Sequence, residues 1–342
     1  MVQPVGDLGP WHAQVQEEII EPERPIVDPH HHLWHALRFM PSYLLEDLWA
    51  DTGSGHNIVE TVFLECSAEY RAEGPEHLRP IGETEFVADI AAQSAKGGPG
   101  KARIAGIVAH ADLQLGDAVE EVLALHEQAG RGLFRGIRHA GAHDEDPEAL
   151  MIAAQAPVGL YQDASFRAGL KRLGELGYSY DTWHYHHQNP SFAELARAVP
   201  DTPMVLDHFG TPLGVGRFAG RRAEIFEQWK KGVAAVAECP NVVAKLGGLA
   251  MPDNGFGWHE RDLPPTSDEF VEAQAPYYLH MIECFGPDRC MFESNFPVDR
   301  LSISYPVLWN GLKKIVRDFS EDEKDAMFRA TASRVYRLAP SD

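Results

Sequence analysis

Cysteine is scarce in this chain. The four, Cys66, Cys239, Cys284 and Cys290, include no C-x-x-C pair, which excludes a zinc knuckle or a dithiol redox centre and fits a reducing cytosol. Positive charge is short too: 30 Lys and Arg face 51 Asp and Glu, a formal charge of −21, which excludes a basic nucleic-acid footprint. No run approaches the roughly 18 apolar residues of a membrane span, and the opening MVQPVGDLGPWHAQ has no basic segment leading into an apolar core. The expectation is a cytoplasmic protein whose partner is a small molecule, not a nucleic acid or a membrane. Missing as well are a G-x-G-x-x-G or P-loop after any strand-like run, low-complexity segments and internal repeats.

What is present is a globular balance, 44% hydrophobic and 24% charged. From residue 26 short apolar, β-branched runs alternate with amphipathic stretches. Eight runs read as strands: Ile26 to Trp34, Val59 to Ala68, Ala102 to Leu113, Gly132 to His139, Tyr178 to His187, Pro203 to Gly210, Val242 to Met251 and Cys290 to Asp299. Helical periodicity marks Glu83 to Ala95, Asp117 to Ala129, Phe166 to Leu176, Phe192 to Ala198, Arg222 to Glu238 and Pro276 to Phe285. Strand then helix, eight times, predicts an α/β protein of the (β/α)8 TIM-barrel type, because parallel strands need crossover helices and eight of them close a ring. The barrel is expected over residues 26–342, with 1–25 an N-terminal arm lying on it. Two long segments after strands, roughly 35–57 and 252–275, sit where a barrel carries active-site loops. Ser320 and Glu323 form a capping box that should open one closing helix through EDEKDAMFRATASRVYRL. The helix with Tyr277, Tyr278 and Phe285 could pair with a second copy of the chain, although core packing explains those aromatics equally well.

Histidine concentrates at the strand ends: His30, His31, His32, His110, His139, His143, His184, His186, His187 and His208 are ten of the seventeen. In IVDPHHHLW, side chains two apart share a strand face, so Asp28, His30 and His32 point the same way. His-x-His at a barrel mouth can grip a metal or move protons near neutral pH.

These motifs, VDPHHHLW, FRGIRH, DTWHYHHQ, VLDHFGTP and CMFESNFPVD, occur in order from about Ile26 to Leu338. In that order they resemble the amidohydrolase superfamily, in its amidohydrolase-2 branch with 2-pyrone-4,6-dicarboxylate lactonase and sugar-acid lactonases. The resemblance implies a (β/α)8 barrel that hydrolyses a small ester or lactone at its strand ends. It matches His30 and His32 to the strand-one pair, His208 to the strand-six histidine and His186 to a strand-five histidine. It assigns Arg138 to a substrate carboxylate, with Arg217 and Lys245 as weaker candidates, and so implies a small anionic substrate.

One departure stands out. Where the family has S-D-x-P, this chain has Ser294-Asn295-Phe296-Pro297, and an amide can neither take a proton nor supply a charged metal ligand. Glu293, Asp299 or a histidine such as His186 must then serve as base, with Asn295 orienting water. His30, His32, His186 and His208 could hold zinc without a carboxylate; the cofactor expectation is therefore zinc or none. The reading that follows is a hydrolase of a small carboxylated lactone or ester. The alternatives are a metal-dependent non-oxidative decarboxylase and a catalytically impaired binding barrel.

Overall fold

The computed structural model describes residues 6–35, 40–152 and 155–339. Eight strands occur in chain order: β1 (Pro25–His31), β2 (Asn57–Leu64), β3 (Arg103–Ala109), β4 (Phe134–Arg138), β5 (Ser179–Thr182), β6 (Met204–Leu206), β7 (Val242–Leu246) and β8 (Cys290–Phe292). Each pairs in parallel with the next in one sheet. The ring closes beyond β8, not through it. His31 and Phe296 form a parallel bridge, His32 N–H donates to the Phe296 carbonyl at 2.8 Å, and Asn295 N–H donates to the His30 carbonyl at 3.0 Å. The fold is a (β/α)8 barrel.

All eight expected runs contain a strand, but most strands stop early. The run from Tyr178 to His187 leaves the ladder after Thr182, and the run from Pro203 to Gly210 leaves it after Leu206. In the second case the reason is conformational: His208 and Phe209 take φ of 53° and 61°, a left-handed geometry that no strand accommodates. The surplus residues become the loops at the barrel mouth.

The connecting helices are Ile81–Ser94, Val119–Gly130, Ala164–Glu175, Asn189–Ala198, Arg222–Ala237 and Ser267–Phe285, close to the expected set except the last. There Thr266 caps the helix with a Thr266/Glu269 box well before the expected start at Pro276, which lies inside it. Tyr277, Tyr278 and Phe285 are buried, packed on core aromatics such as Trp229 and Phe209, so this face is core. A further helix, Tyr305–Ile315, escaped the sequence reading because Pro306 and Gly311 interrupt its pattern. The closing helix runs as expected from the Ser320/Glu323 box, unbroken from residue 321 to 335, with a π-turn over Ala326–Ala330 inside it. Beyond it Tyr336 and Leu338 pack on Val27, Val62, Val108 and Met291, the inward residues of the strands. Residues 6–24 run across the outside: Trp11 Nε1 donates to the Arg261 carbonyl at 3.0 Å, and Lys313 Nζ donates to the Ile20 carbonyl at 2.9 Å. Among the described residues no helix is long and apolar enough to cross a membrane.

Barrel closure rests partly on Asp28. Buried in β1, it accepts from Ser294 N–H and from the Tyr305 hydroxyl, both at 2.9 Å. Tyr305→Phe removes one donor from a buried carboxyl and should destabilise the fold by roughly 1–3 kcal/mol. Urea unfolding measures this, and an unchanged midpoint would mean the bond contributes nothing to closure.

Candidate active site

Three histidines and one carboxyl group form the centre. His30 and His32 share a face of β1 and its extension, with their Nε2 atoms 3.3 Å apart. His208, at the end of β6, brings its ring centroid to 4.4 Å from that of His30. Glu293, just after β8, lies 2.7 Å from Nδ1 of both His30 and His208. The approach needs the glycine pair after β7. A Cβ on Gly247 would sit 2.3 Å from Glu293 Cγ, and one on Gly248, whose φ is +74°, would sit 2.2 Å from His208 Nδ1.

Glu293 shares a hydrogen bond with His208 Nδ1, whereas His30 Nδ1, 2.7 Å from the other Glu293 oxygen, also faces Lys245 Nζ at 3.4 Å. His32 Nδ1 is 2.8 Å from the Leu64 carbonyl, which only accepts, so His32 donates there and its Nε2 is bare. Burial first, and nearby cations second, hold His30 and His32 well below the ordinary histidine pKa, and burial brings His208 to about 3. All three are neutral near pH 7.

The surroundings are short of positive charge. Lys245, buried on β7, lies 2.9 Å from Asp181, 3.3 Å from Asp207 and 3.4 Å from His30 Nδ1. Tyr336 donates its hydroxyl to the same Asp181. Arg138 donates Nε–H to Glu65 at 2.8 Å and an Nη2–H to the Glu65 carbonyl, while its Nη1 sits 3.3 Å from His30 Nε2 and 3.5 Å from Asp207. Burial works against both cations, but Asp181 and Asp207 keep Lys245 above its ordinary pKa, and Glu65 and Asp207 do the same for Arg138. Two cations therefore face Asp28, Glu65, Asp181, Asp207 and Glu293, all buried. Burial accordingly pushes Glu293 up to about 8 and Asp207 up to about 6.

Not every expected residue joins this cluster. The anticipated four-histidine metal set is not what the chain gathers: ligand atoms of His30, Asp207 and His208 lie within 4.8 Å of one another, and His186 is elsewhere. His186 falls in a 3-10 turn after β5, where strand alternation no longer applies. Its Nδ1 accepts from Leu213 N–H at 3.3 Å and its ring packs on Phe218. His184 is tied to Tyr161 and Asn189. Arg217 is a half-exposed partner of Asp144 and Glu145. Lys245 is present, yet beneath the histidines and spent on acids. Glu293 also lies beneath them and does not line the cavity described below. Sequence reasoning missed Asp207, Asp181 and Glu65, although Asp207 precedes His208 directly in VLDHFGTP.

Above the cluster opens a cavity of about 610 Å³, lined at its strand ends by His32, Glu65, Ser67, His110, Arg138 and His139, and by Trp34, Met40, Met151, Ile152, Gln155, Ala156, Trp183 and Val298. The donor set fits a divalent cation. His30, His208 and Asp207 supply three ligand atoms, the two imidazoles are oriented from behind by Glu293, and the surplus carboxylates supply compensating charge.

Asn295 does not stand in for a base. Its amide donates to Asp299 at 2.8 Å, and Asp299 also accepts from Ala250 N–H; burial pushes Asp299 well above the ordinary carboxyl range while the Asn295 amide opposes this. Asn295→Asp would set two buried carboxyls against each other, so the folded pair would hold a proton that the unfolded chain releases above about pH 4. Its destabilisation should thus grow as pH rises from about 4 and level off above the folded pKa. Thermal melts of both proteins at pH 5 and pH 8 read this, and equal differences at the two values would refute it. Glu293→Gln replaces the acid behind the His30 and His208 rings by an uncharged amide whose nitrogen can only donate, so the orientation of both imidazoles is disturbed. Zinc affinity by equilibrium dialysis should fall on the order of 10- to 100-fold; an unchanged affinity would mean that the ion sits elsewhere.

The Amidohydrolase family model (Amidohydro_2) matches residues 27–338. The uncharacterized protein y4mH of Sinorhizobium fredii is 32% identical over 335 residues, covering 92% of this chain and 98% of that protein. An L-fucono-1,5-lactonase of Burkholderia multivorans is 27% identical over 330 residues, covering 92% and 97%. Among solved structures, an amidohydrolase from Burkholderia multivorans with bound zinc superposes with a TM-score of 0.70 at 23% identity, over 92% of this chain and 100% of that one. The motifs, the barrel and the match along nearly its whole length agree: the chain belongs to the amidohydrolase family.

Proposed function

We propose that the protein hydrolyses a small carboxylated lactone or related ester. The observation that carries this reading is the cavity floor: the bare His32 Nε2 lies 3.3 Å from His30 Nε2, and the Arg138 Nη1 beside them is free of Glu65. The 27% identity to an L-fucono-1,5-lactonase supports the same reaction class. His30, Asp207 and His208 would hold a divalent ion such as zinc, which lowers the pKa of water and polarises a carbonyl.

The chain's own groups do the rest. His32 Nε2 accepts the proton of the attacking water, and its imidazolium is steadied by its Nδ1–H bond to the Leu64 carbonyl. Glu293 lies against Nδ1 of both His30 and His208, and His186 is packed on Leu213 and Phe218, so in this mechanism Glu293 positions His30 and His208 and His186 takes no part. Arg138 directs its remaining N–H groups at substrate oxygen, while Glu65 fixes the plane of the guanidinium. The same proton then passes from His32 to the departing alkoxide, which closes the cycle.

The discriminating experiment pairs hydrolysis of a lactone panel with measurement of CO₂ release from aromatic carboxylates. Ester hydrolysis without CO₂ supports the reading; CO₂ release without hydrolysis replaces it with the decarboxylase, and thermal stabilisation by ligands without turnover replaces it with a binding barrel. Within the panel, Arg138→Lys keeps the charge and loses the fork. It should raise KM for carboxylated lactones by about tenfold or more, on the order of 1.5–3 kcal/mol, and leave KM for neutral ones nearly unchanged. Equal effects on both would make Arg138 structural.

A further inference from the structure

The cavity has two chemical halves, and they come from different parts of the fold. The strand ends supply most of its polar groups, whereas the described residues of the loops that cover it supply mainly hydrocarbon. More telling is where the polar atoms of that cover are directed. The indole N–H of Trp34 is spent on the Pro41 carbonyl at 2.7 Å and that of Trp183 on the Thr211 hydroxyl at 2.9 Å, so both rings meet the cavity as apolar surfaces. The backbone N–H groups of Met151 and Ile152 both go to the buried Asp253, at 2.7 and 2.9 Å. Ala156 N–H goes to the Ala142 carbonyl and the Ala156 carbonyl to His143. Among the described residues of the cover, Gln155 alone keeps a polar side chain at the cavity, with only a 3.5 Å contact to the Asp144 carbonyl.

We infer that the substrate carries an apolar, aryl- or alkyl-sized body beneath this cover, and is not a polyhydroxylated sugar lactone. The inference rests on the hydrolase reading for the reacting end of the molecule and adds the class of what is attached to it. A sugar ring filling the same space would bury several hydroxyls against indole, thioether and methyl groups that offer no partner. Each hydroxyl left unpaired lowers affinity by roughly ten- to a hundredfold. A ring without hydroxyls loses nothing there and gains the burial of its own apolar surface. Trp34, Trp183, Met151 and Ile152 are thereby specificity-determining, and Asp253 is a positioning residue that turns the backbone of the β4 loop away from the ligand.

Binding separates this inference from the reaction. Calorimetric titration of the protein with 3-phenylpropionate and with gluconate compares two monocarboxylates of similar size, one apolar and one hydroxylated. Phenylpropionate should bind at least tenfold tighter, and Ile152→Asn should weaken it several-fold while leaving gluconate unchanged. Equal affinities, tighter gluconate, or saturable binding of neither overturns the inference. Hydrolysis of a carboxylated dihydrocoumarin and of glucaro-1,4-lactone then tests the reaction independently. Preferential hydrolysis of the sugar lactone sinks the apolar substrate and leaves the hydrolase standing; hydrolysis of neither, with phenylpropionate still preferred, sinks the hydrolase and leaves the apolar cavity standing.

Discussion

One buried carboxyl group, that of Glu293, holds the site together. It reaches His30 from β1 and His208 from beyond β6 at the same distance, 2.7 Å, and so fixes two rings that the chain order sets far apart. Its demands spread outward. The ionised form needs cations nearby, which Lys245 and Arg138 only partly provide, and each of those brings further acids, Asp181, Asp207 and Glu65, to hold it in place. The glycines at 247 and 248 follow from the same contact, since any side chain there would collide with Glu293 or with the His208 ring. A polar network this dry is strong only when every member is satisfied, and the raised pKa values of Glu293 and Asp207 mark the charge that a bound cation would offset.

The barrel was legible because it is written in local patterns. Eight apolar runs with helical spacing between them need no long-range information, and eight parallel strands appear where the runs are. What could not be read was where each strand ends. Apolar content continues past Leu206 and past Thr182, while the backbone turns; His208 takes a left-handed φ of 53° where its ring meets Glu293 and Gly248, contacts that are not local in sequence. Closure of the ring by residues 294–296 against β1 is invisible for the same reason.

The candidate site was half legible. His30, His32, His208, Arg138 and Lys245 do assemble, because alternation on β1 and position at a strand end are reliable guides while the chain is extended. His186 was misplaced by extending that alternation through a 3-10 turn. The acids were overlooked because an Asp or Glu beside an apolar run reads as ordinary until it is known which cation it faces. Asp207 acquires meaning only when Lys245 and Arg138, from two other strands, meet it in the barrel interior.

Asn295 is best understood through charge. The family pattern places an aspartate here, yet in this chain Asp299 lies one hydrogen bond away, buried and already accepting from Ala250. A carboxylate at 295 would set another buried acid directly against Asp299, in a region already crowded with buried acids, and the pair would have to hold a proton between them. The amide removes that charge and supplies the donor Asp299 needs. Its backbone N–H, at 3.0 Å from the His30 carbonyl, meanwhile holds the β1 histidines against the segment that closes the ring. Position 295 therefore serves architecture, tying the buried Asp299 and the closing segment of the ring to β1.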